Sequence, residues 1–492
     1  MNEEEFKEFD SYFKPRSVAL IGVSKKNEFF WLQNFVLAGF PGKVFPINPK
    51  GPKATYGIPF YKSILDISDP IDYAVISVPA PRVPQVLKEC IEKQVKLVTI
   101  FTSGFSETGK NECTLLENKL VKILQNQKNN PPLRLIGPNC MGIYCPETRV
   151  SFRQDLSFRT GNIGFLSQSG GLAQNLAYKL KDLGIGISKI ISFGNQIDLT
   201  CSDFLEYLLH DKKTKIICIY IEGIRKKDRT RFFKILRETS LKKPIILWKG
   251  GVTEAGSKAA FTHTGALSGS IDIWKAVTKQ AGIIRVNNFE ELINSIIALK
   301  HYNPRNLKFK NINKDVILLS ISGGSSVTNT DDVIKVGLNV PKFSPETVKK
   351  IESNMIYTIG VNSSNPLDLA YDFFNFYGLK KIFNIILELP ISSIIFEISL
   401  QYIYFSRFDS FGIESMKDMF YQNLIKILSK LKKAGKLVSI AIIDVYYPHR
   451  RVDDTKFFLK KFPVFGSVEQ AAKALKNLID YTHFLEKQPD SN

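Results

Sequence analysis

His263 lies in FTHTGALSGS (261–270) and is one of only five histidines in 492 residues. Around it stand Thr262, Thr264, Gly265, Ala266, Ser268, Gly269 and Ser270. Residues this small cannot pack an apolar face against an imidazole. They can form a loop of N–H and hydroxyl donors around a tetrahedral anion. A neutral imidazole nitrogen can attack phosphorus and carry the phosphoryl group. Its opposite N–H then needs a carboxylate or carbonyl to fix the tautomer. Glu222 is the expected orienting group, since it ends the apolar stretch ICIYIEG, where a charge is otherwise costly. The alternative is a strand-end glutamate in solvent. Lys249 holds a similar place in ILWKGG. It either neutralises a phosphate or snorkels to water.

Further stretches could cradle anions. In SQSGG (167–171), Ser167, Ser169, Gly170 and Gly171 meet a predicted helix start, whose unpaired N–H groups favour a bound anion. Plain helix capping by either serine is the competing reading. IGVSKK (21–26) offers Gly22 for a close turn and Ser24 as a donor, followed by two lysines. It lacks the full GxGxxG fingerprint, so an ordinary turn competes. PINPK (46–50), ending at Lys50, and VPAP (78–81), with Pro79, could wall an adenine or pantetheine slot. GPNCMG (137–142) suits a tight ligand loop around Asn139. Cys140 has no partner histidine nearby in sequence, which argues against a nucleophile.

These turns need strands to place them. Short apolar runs at 17–22, 43–49, 73–79, 96–104 and 133–139 alternate with helical stretches, as in a parallel sheet covered on both faces. The pattern repeats at 162–171, 187–195, 215–223 and 243–251, and again from 314. Strands are expected there at YTIGV (357–361), SSIIFEISL (392–400) and LVSIAIIDV (437–445), with a closing strand and helix in 462–479. The expected domains are 1–150, 151–305 and 306–492, with the basic, proline-containing HYNPRNLKFKNIN (301–313) at the second boundary.

Composition narrows the classes. The net charge of +20 comes from 67 basic and 47 acidic residues. The basic residues lie in short groups without an arginine-rich helix, so a solvated surface that attracts anionic metabolites is expected, with no nucleic-acid partner. The six cysteines show no ligand spacing, and no metal site is expected in the chain. The acidic opening MNEEEFKEFD argues against a signal peptide, and no apolar run is long enough to span a bilayer. A cytoplasmic protein with no membrane partner is expected. An NAD(P)-dependent enzyme fits poorly, because no acidic residue is convincingly placed for a ribose.

In order, FKPRSVALIGVS, GFPGKVFPINPK, DYAVISVPA, FTSGFSETG, RLIGPNCMGI, GNIGFLSQSGG, ISFGNQIDLTCSDFLEYL, IYIEGI and THTGALSGS carry a resemblance over nearly the whole length. GGSSVTNTDD and NPLDL extend it less tightly. The chain resembles the α subunit of the ADP-forming (NDP-forming) acyl-CoA synthetases of the acetate–CoA ligase type, relatives of succinyl-CoA synthetase. The resemblance implies an α/β fold: an N-terminal Rossmann-like CoA-binding domain, then two flavodoxin-like domains. It implies that acyl-CoA, ADP and phosphate interconvert with acid, CoA and ATP through acyl phosphate and phosphohistidine. It places the phosphohistidine on His263 and its orienting glutamate on Glu222. The phosphate loop falls on Ser167, Ser169, Gly170 and Gly171, with Gly265 beside the histidine. CoA contacts fall on Gly22, Ser24, Lys50, Pro79 and Asn139. No stretch resembles the family's ATP-grasp domain, so an ATP-grasp β subunit is the implied partner, bringing ADP or ATP with Mg2+. The implied acid is short-chain or aryl. The first loop, SKKNEFFWLQN, departs from relatives that often place a glycine before that helix, and GGSSV replaces a more glycine-rich turn. These departures motivate the alternative of an inactive CoA-binding or scaffolding homologue.

Overall fold

The computed structural model describes residues 1–257, 271–307, 312–405, 413–443 and 448–488. They form two compact units, Met1–Asn287 and Asn288–Asn492. Each sheet is built from apolar runs too short for helices and buried on both faces.

The first sheet contains β1 (Ser17–Ile21), β2 (Lys43–Ile47), β5 (Tyr73–Ile76), β6 (Leu97–Ile100) and β7 (Arg134–Ile136). Its order is β2-β1-β5-β6-β7, parallel throughout. A small antiparallel hairpin, β3 (Ala54–Thr55) with β4 (Ile58–Pro59), follows β2. Helices Val83–Glu92 and Asn111–Gln125 cover one face. Val83, Leu87, Cys90 and Leu120 join Ala19, Ile21, Ala74, Ile76 and Val98 in one core cluster. This is the N-terminal Rossmann-like sheet of the expected fold.

The second sheet contains β8 (Gly142–Tyr144), β9 (Thr160–Ser167), β10 (Ile187–Ser192), β11 (Ile216–Ile221), β12 (Ile245–Lys249) and β13 (Ile284–Val286). Its order is β13-β12-β11-β9-β10-β8. All pairs are parallel except β8 with β10. The antiparallel strand β8 was not expected; it begins with the last glycine of GPNCMG. Three residues gave too short a run to register as a strand.

The later unit carries β14 (Val316–Ser320), β15 (Leu367–Asp368), β16 (Ser393–Ser399), β17 (Leu437–Ile443) and β18 (Val464–Phe465). They lie parallel in the order β15-β14-β16-β17-β18. The strand expected at YTIGV is absent. Ile359 is 97% exposed, and Gly360 has φ +78°. The carboxylate of Asp372 instead accepts the N–H groups of Ile356 and Tyr357. With no layer to cover it, this apolar run stays a turn, and the edge position is taken by Leu367–Asp368 from NPLDL.

Each sheet reverses direction beside its first parallel strand: between β1 and β5, between β9 and β11, and between β14 and β16. Crossovers leave on opposite faces at such points and open a crevice beyond the carboxyl ends of the strands. The end of β9 remote from that crevice shows how tightly the sheet is packed. A Cβ on Gly161 would run into the backbone of Gly186. Gly161→Ala is therefore expected to cost about 1–3 kcal/mol through overpacking, read from urea unfolding midpoints against the wild type.

Candidate functional site

Gly22 and Ser24 follow β1, Lys50 follows β2, and Pro79 follows β5, around the first switch point. Gly22 has φ +96°, and a Cβ there would stand 2.7 Å from the Ser77 carbonyl oxygen. Only glycine allows the two strand ends to approach this closely. Asn48 shapes the β2 end, donating to the Val23 carbonyl at 2.9 Å and accepting from the Lys50 N–H at 2.9 Å. Lys50 and Pro79 are exposed and Ser24 is half-buried. Asn139 has φ +58° and its N–H meets the Thr102 carbonyl at 3.0 Å. The Thr102 hydroxyl donates to the Val78 carbonyl at 2.7 Å. Thr102 thus joins the turns that carry Pro79 and Asn139. This open, glycine-lined rim fits an extended ligand with an anionic end.

The departing first loop has a physical consequence. Glu28 and Phe29 have φ +51° and +55°, and Phe29 precedes the helix Phe30–Leu37. A bulky residue there occupies a conformation that glycine adopts freely. Its neighbours Phe30 and Trp31 pack on Phe101, with centroids 6.2 and 5.3 Å away.

Ser167 ends β9, and Ser169 caps the helix Gly170–Asp182, accepting the Leu172 N–H at 3.3 Å. The Ser167 hydroxyl donates to the Ser169 carbonyl at 2.7 Å. Ser169 thus caps the helix, as the capping reading expected, while Ser167 braces the turn from behind. Gly170 and Gly171 supply the first helical positions, whose N–H groups have no acceptor inside the helix. A Cβ on Gly170 would approach Met141 Cγ at 2.8 Å. The turn can therefore present backbone to an anion.

Glu222 follows β11 on the other side of the same switch point. It is 7% exposed, so the solvent-exposed reading does not hold. Gln168, between the two serines, is the residue that sequence reasoning missed. Its Oε1 accepts the N–H groups of Glu222 and Gly223 at 2.8 and 3.2 Å, and its own N–H reaches the Tyr220 carbonyl at 3.0 Å. The Tyr220 hydroxyl donates to Glu222 Oε1 at 3.0 Å. Lys249 is buried rather than snorkelled, and its Nζ donates to the Glu222 carbonyl at 2.7 Å and to the Gly250 carbonyl. Burial lowers its pKa to about 8, against an opposing pull from Glu222. His263 and Gly265 lie outside the described residues.

Cys140 is buried, and burial pushes its thiol up to about 12, in keeping with the reading against a nucleophile. In the later unit, Glu397 and Asp368 are buried near the third switch point. Asn329 Nδ2 donates to Glu397 Oε2 at 2.7 Å. Burial raises both carboxyls, against hydrogen bonds that favour their charged forms. Among the described residues no helix is long and apolar enough to cross a membrane.

Residues 13–104 match the CoA binding domain family, and residues 160–299 match the succinyl-CoA ligase-like flavodoxin domain. The fold and crevices are thus those of the succinyl-CoA synthetase class. The chain is 40% identical over 362 residues to the ADP-forming acetate–CoA ligase of Methanocaldococcus jannaschii, covering 73% of this chain and 48% of that protein. It is 36% identical over 362 residues to the ADP-forming acetate–CoA ligase II subunit alpha of Pyrococcus furiosus, covering 73% of this chain and 76% of that subunit. The structure of Ca. Korarchaeum cryptofilum dinucleotide-forming acetyl-coenzyme A synthetase 1 in complex with phosphate and ADP superposes with a TM-score of 0.76 at 28% identity, covering 97% of this chain and 98% of that one. The chain belongs to the α subunits of the ADP-forming acyl-CoA synthetase family. It spans about half the length of the Methanocaldococcus protein.

Lys249 gives a pH signature. Its folded pKa of about 8 lies below the ordinary 10.5. Between these values the unfolded chain holds a proton that the folded chain has released, so this group makes stability rise with pH. Lys249→Met is expected to flatten that rise, seen as a difference between mutant and wild-type denaturation midpoints from pH 8 to 10.

Proposed function

We propose that this chain is the acyl-transferring half of an ADP-forming acyl-CoA synthetase. It interconverts acyl-CoA, ADP and phosphate with acid, CoA and ATP. The observation that carries the reading is the joining of Glu222 to the serine–glycine helix start through Gln168, across one switch point. That arrangement suits a phosphate held beside a carboxylate that orients an imidazole.

CoA binds along Gly22, Ser24, Lys50, Pro79 and Asn139, with Asn139 near its thiol end. Phosphate rests on the turn of Ser167, Ser169, Gly170 and Gly171, with Gly265 beside the histidine. A phosphate oxygen attacks the thioester carbonyl, the C–S bond breaks, and CoA leaves as the thiolate and takes a proton. His263 attacks the phosphorus of the acyl phosphate, the P–O bond to the acyl group breaks, and the carboxylate departs. Glu222 holds the imidazole tautomer and offsets the charge that develops. The chain's main contributions are positioning and charge compensation. An ATP-grasp β subunit would present ADP with Mg2+, and an oxygen of the ADP terminal phosphate takes the phosphoryl group as the P–N bond to His263 breaks, giving ATP and the free imidazole. The acid is a short-chain or aryl carboxylate, and the reaction is cytoplasmic.

Incubation of the full chain with acyl-CoA and labelled phosphate tests this reading. The wild type is expected to gain acid-labile, base-stable label. His263→Asn should abolish it, and Glu222→Gln should lower its rate by about 10- to 100-fold, the range seen when the carboxylate partner of a metal-bound histidine is lost. Equal label in His263→Asn would refute the assignment. CoA binding with no label, even with a β subunit present, would favour the inactive homologue.

A further inference from the structure

A second polar constellation lies apart from Glu222 and is not used by the steps above. Glu107 and Glu117 are 8% and 5% exposed, and both accept from Asn195 Nδ2, at 2.6 and 2.8 Å. The two amide hydrogens thus serve one carboxylate each. Glu107 Oε1 also accepts the N–H groups of Gly104 and Phe105 at 2.6 and 3.1 Å. Glu117 Oε2 accepts the Ser106 hydroxyl at 2.7 Å, and its Oε1 accepts Arg225 Nη2 at 2.9 Å. Arg225 also donates through Nε and Nη2 to the Asn195 carbonyl, at 3.0 and 2.8 Å. The Asn195 N–H reaches the Pro138 carbonyl at 3.0 Å.

These bonds tie three loops together. The loop after β6 carries Thr102, which joins the turns of Pro79 and Asn139. The loop after β10 carries Asn195, and the loop after β11 carries both Glu222 and Arg225. Two buried carboxylates, of which only Glu117 meets the guanidinium, are costly unless every bond is made. A network so fully satisfied fixes geometry.

We propose that Glu107 and Glu117, joined through Asn195 and Arg225, are positioning residues that hold the CoA-side loop in register with the Glu222 loop for the thioester step. The inference rests on the proposed reaction. In that reaction the register matters while the acyl group is still attached to CoA. Once the acyl phosphate has formed, phosphoryl transfer no longer needs the CoA-side loop in register.

Two routes to the labelled histidine separate the roles. One supplies acetyl-CoA or benzoyl-CoA, whichever labels the wild type, with labelled inorganic phosphate. The other supplies the corresponding labelled acetyl or benzoyl phosphate directly. A family β subunit is present throughout, without nucleotide. In Glu107→Gln and in the milder Glu117→Gln, labelling from acyl-CoA is expected to fall by about 10- to 100-fold, the cost of a misplacement near 1 Å. Labelling from acyl phosphate should stay near the wild-type rate. If both routes fall together in both variants, the network is only structural and the inference fails. It fails equally if neither route falls. An unlabelled wild type would overturn the phosphohistidine reading first, and this inference with it.

Discussion

A carboxylate can stand at the end of the apolar strand Ile216–Ile221 only if its surroundings replace the water it has lost. Gln168 makes that possible. Its side-chain oxygen takes the two N–H groups at the strand's end, and its backbone N–H pairs with Tyr220. One residue of the serine–glycine turn therefore fixes both the path of the neighbouring strand and the direction in which Glu222 leaves it. Tyr220 and Lys249 complete the surround, one at the carboxylate and one at the carbonyl. The anion turn and the acid beside it are in this sense a single unit of backbone and side chain.

This unit was half legible in the sequence. A charge that ends the apolar ICIYIEG needs an explanation, and the paired glycines of SQSGG exceed what a cap requires. Gln168 lies between the serines that attracted attention, but a glutamine carries no pattern of its own. The strands were legible wherever an apolar run ended in Gly, Pro or Ser. YTIGV failed because hydrophobicity was mistaken for burial. Strand β8 failed because its three residues are strand only through pairing with β10, almost fifty residues later in the chain. The network around Asn195 was invisible for the same reason. FTSGFSETG, ISFGNQIDLTCSDFLEYL and IYIEGI each carry part of the resemblance, yet Glu107 and Glu117 meet Asn195 across 88 and 78 residues of sequence.

The later unit repeats the first architecture with different chemistry at its crevice. Ser322 caps the helix Gly323–Lys335 much as Ser169 caps its counterpart. The neighbouring strand carries Glu397 within its run, where Glu222 stands just beyond the end of its own. The difference of position matters. A carboxyl inside the strand is held away from its charged form by burial, and Asn329 and the nearby serines only partly offset this. The same topology thus offers a crevice without fixing the charge of what lines it.

Strand β8 also changes how a ligand can arrive. It belongs to the chain that has just left β7, and it zips antiparallel onto β10 of the next sheet. Arg134, on β7, grips the Asp198 carboxylate, which also accepts the Leu135 N–H. The first and second sheets are therefore stitched rather than hinged. Prying them apart like a clam shell would break the Arg134–Asp198 pair and the bonds that tie Leu135 to Asp198 and Leu199, so a ligand reaches the buried acid along the loop rims while the two halves stay shut.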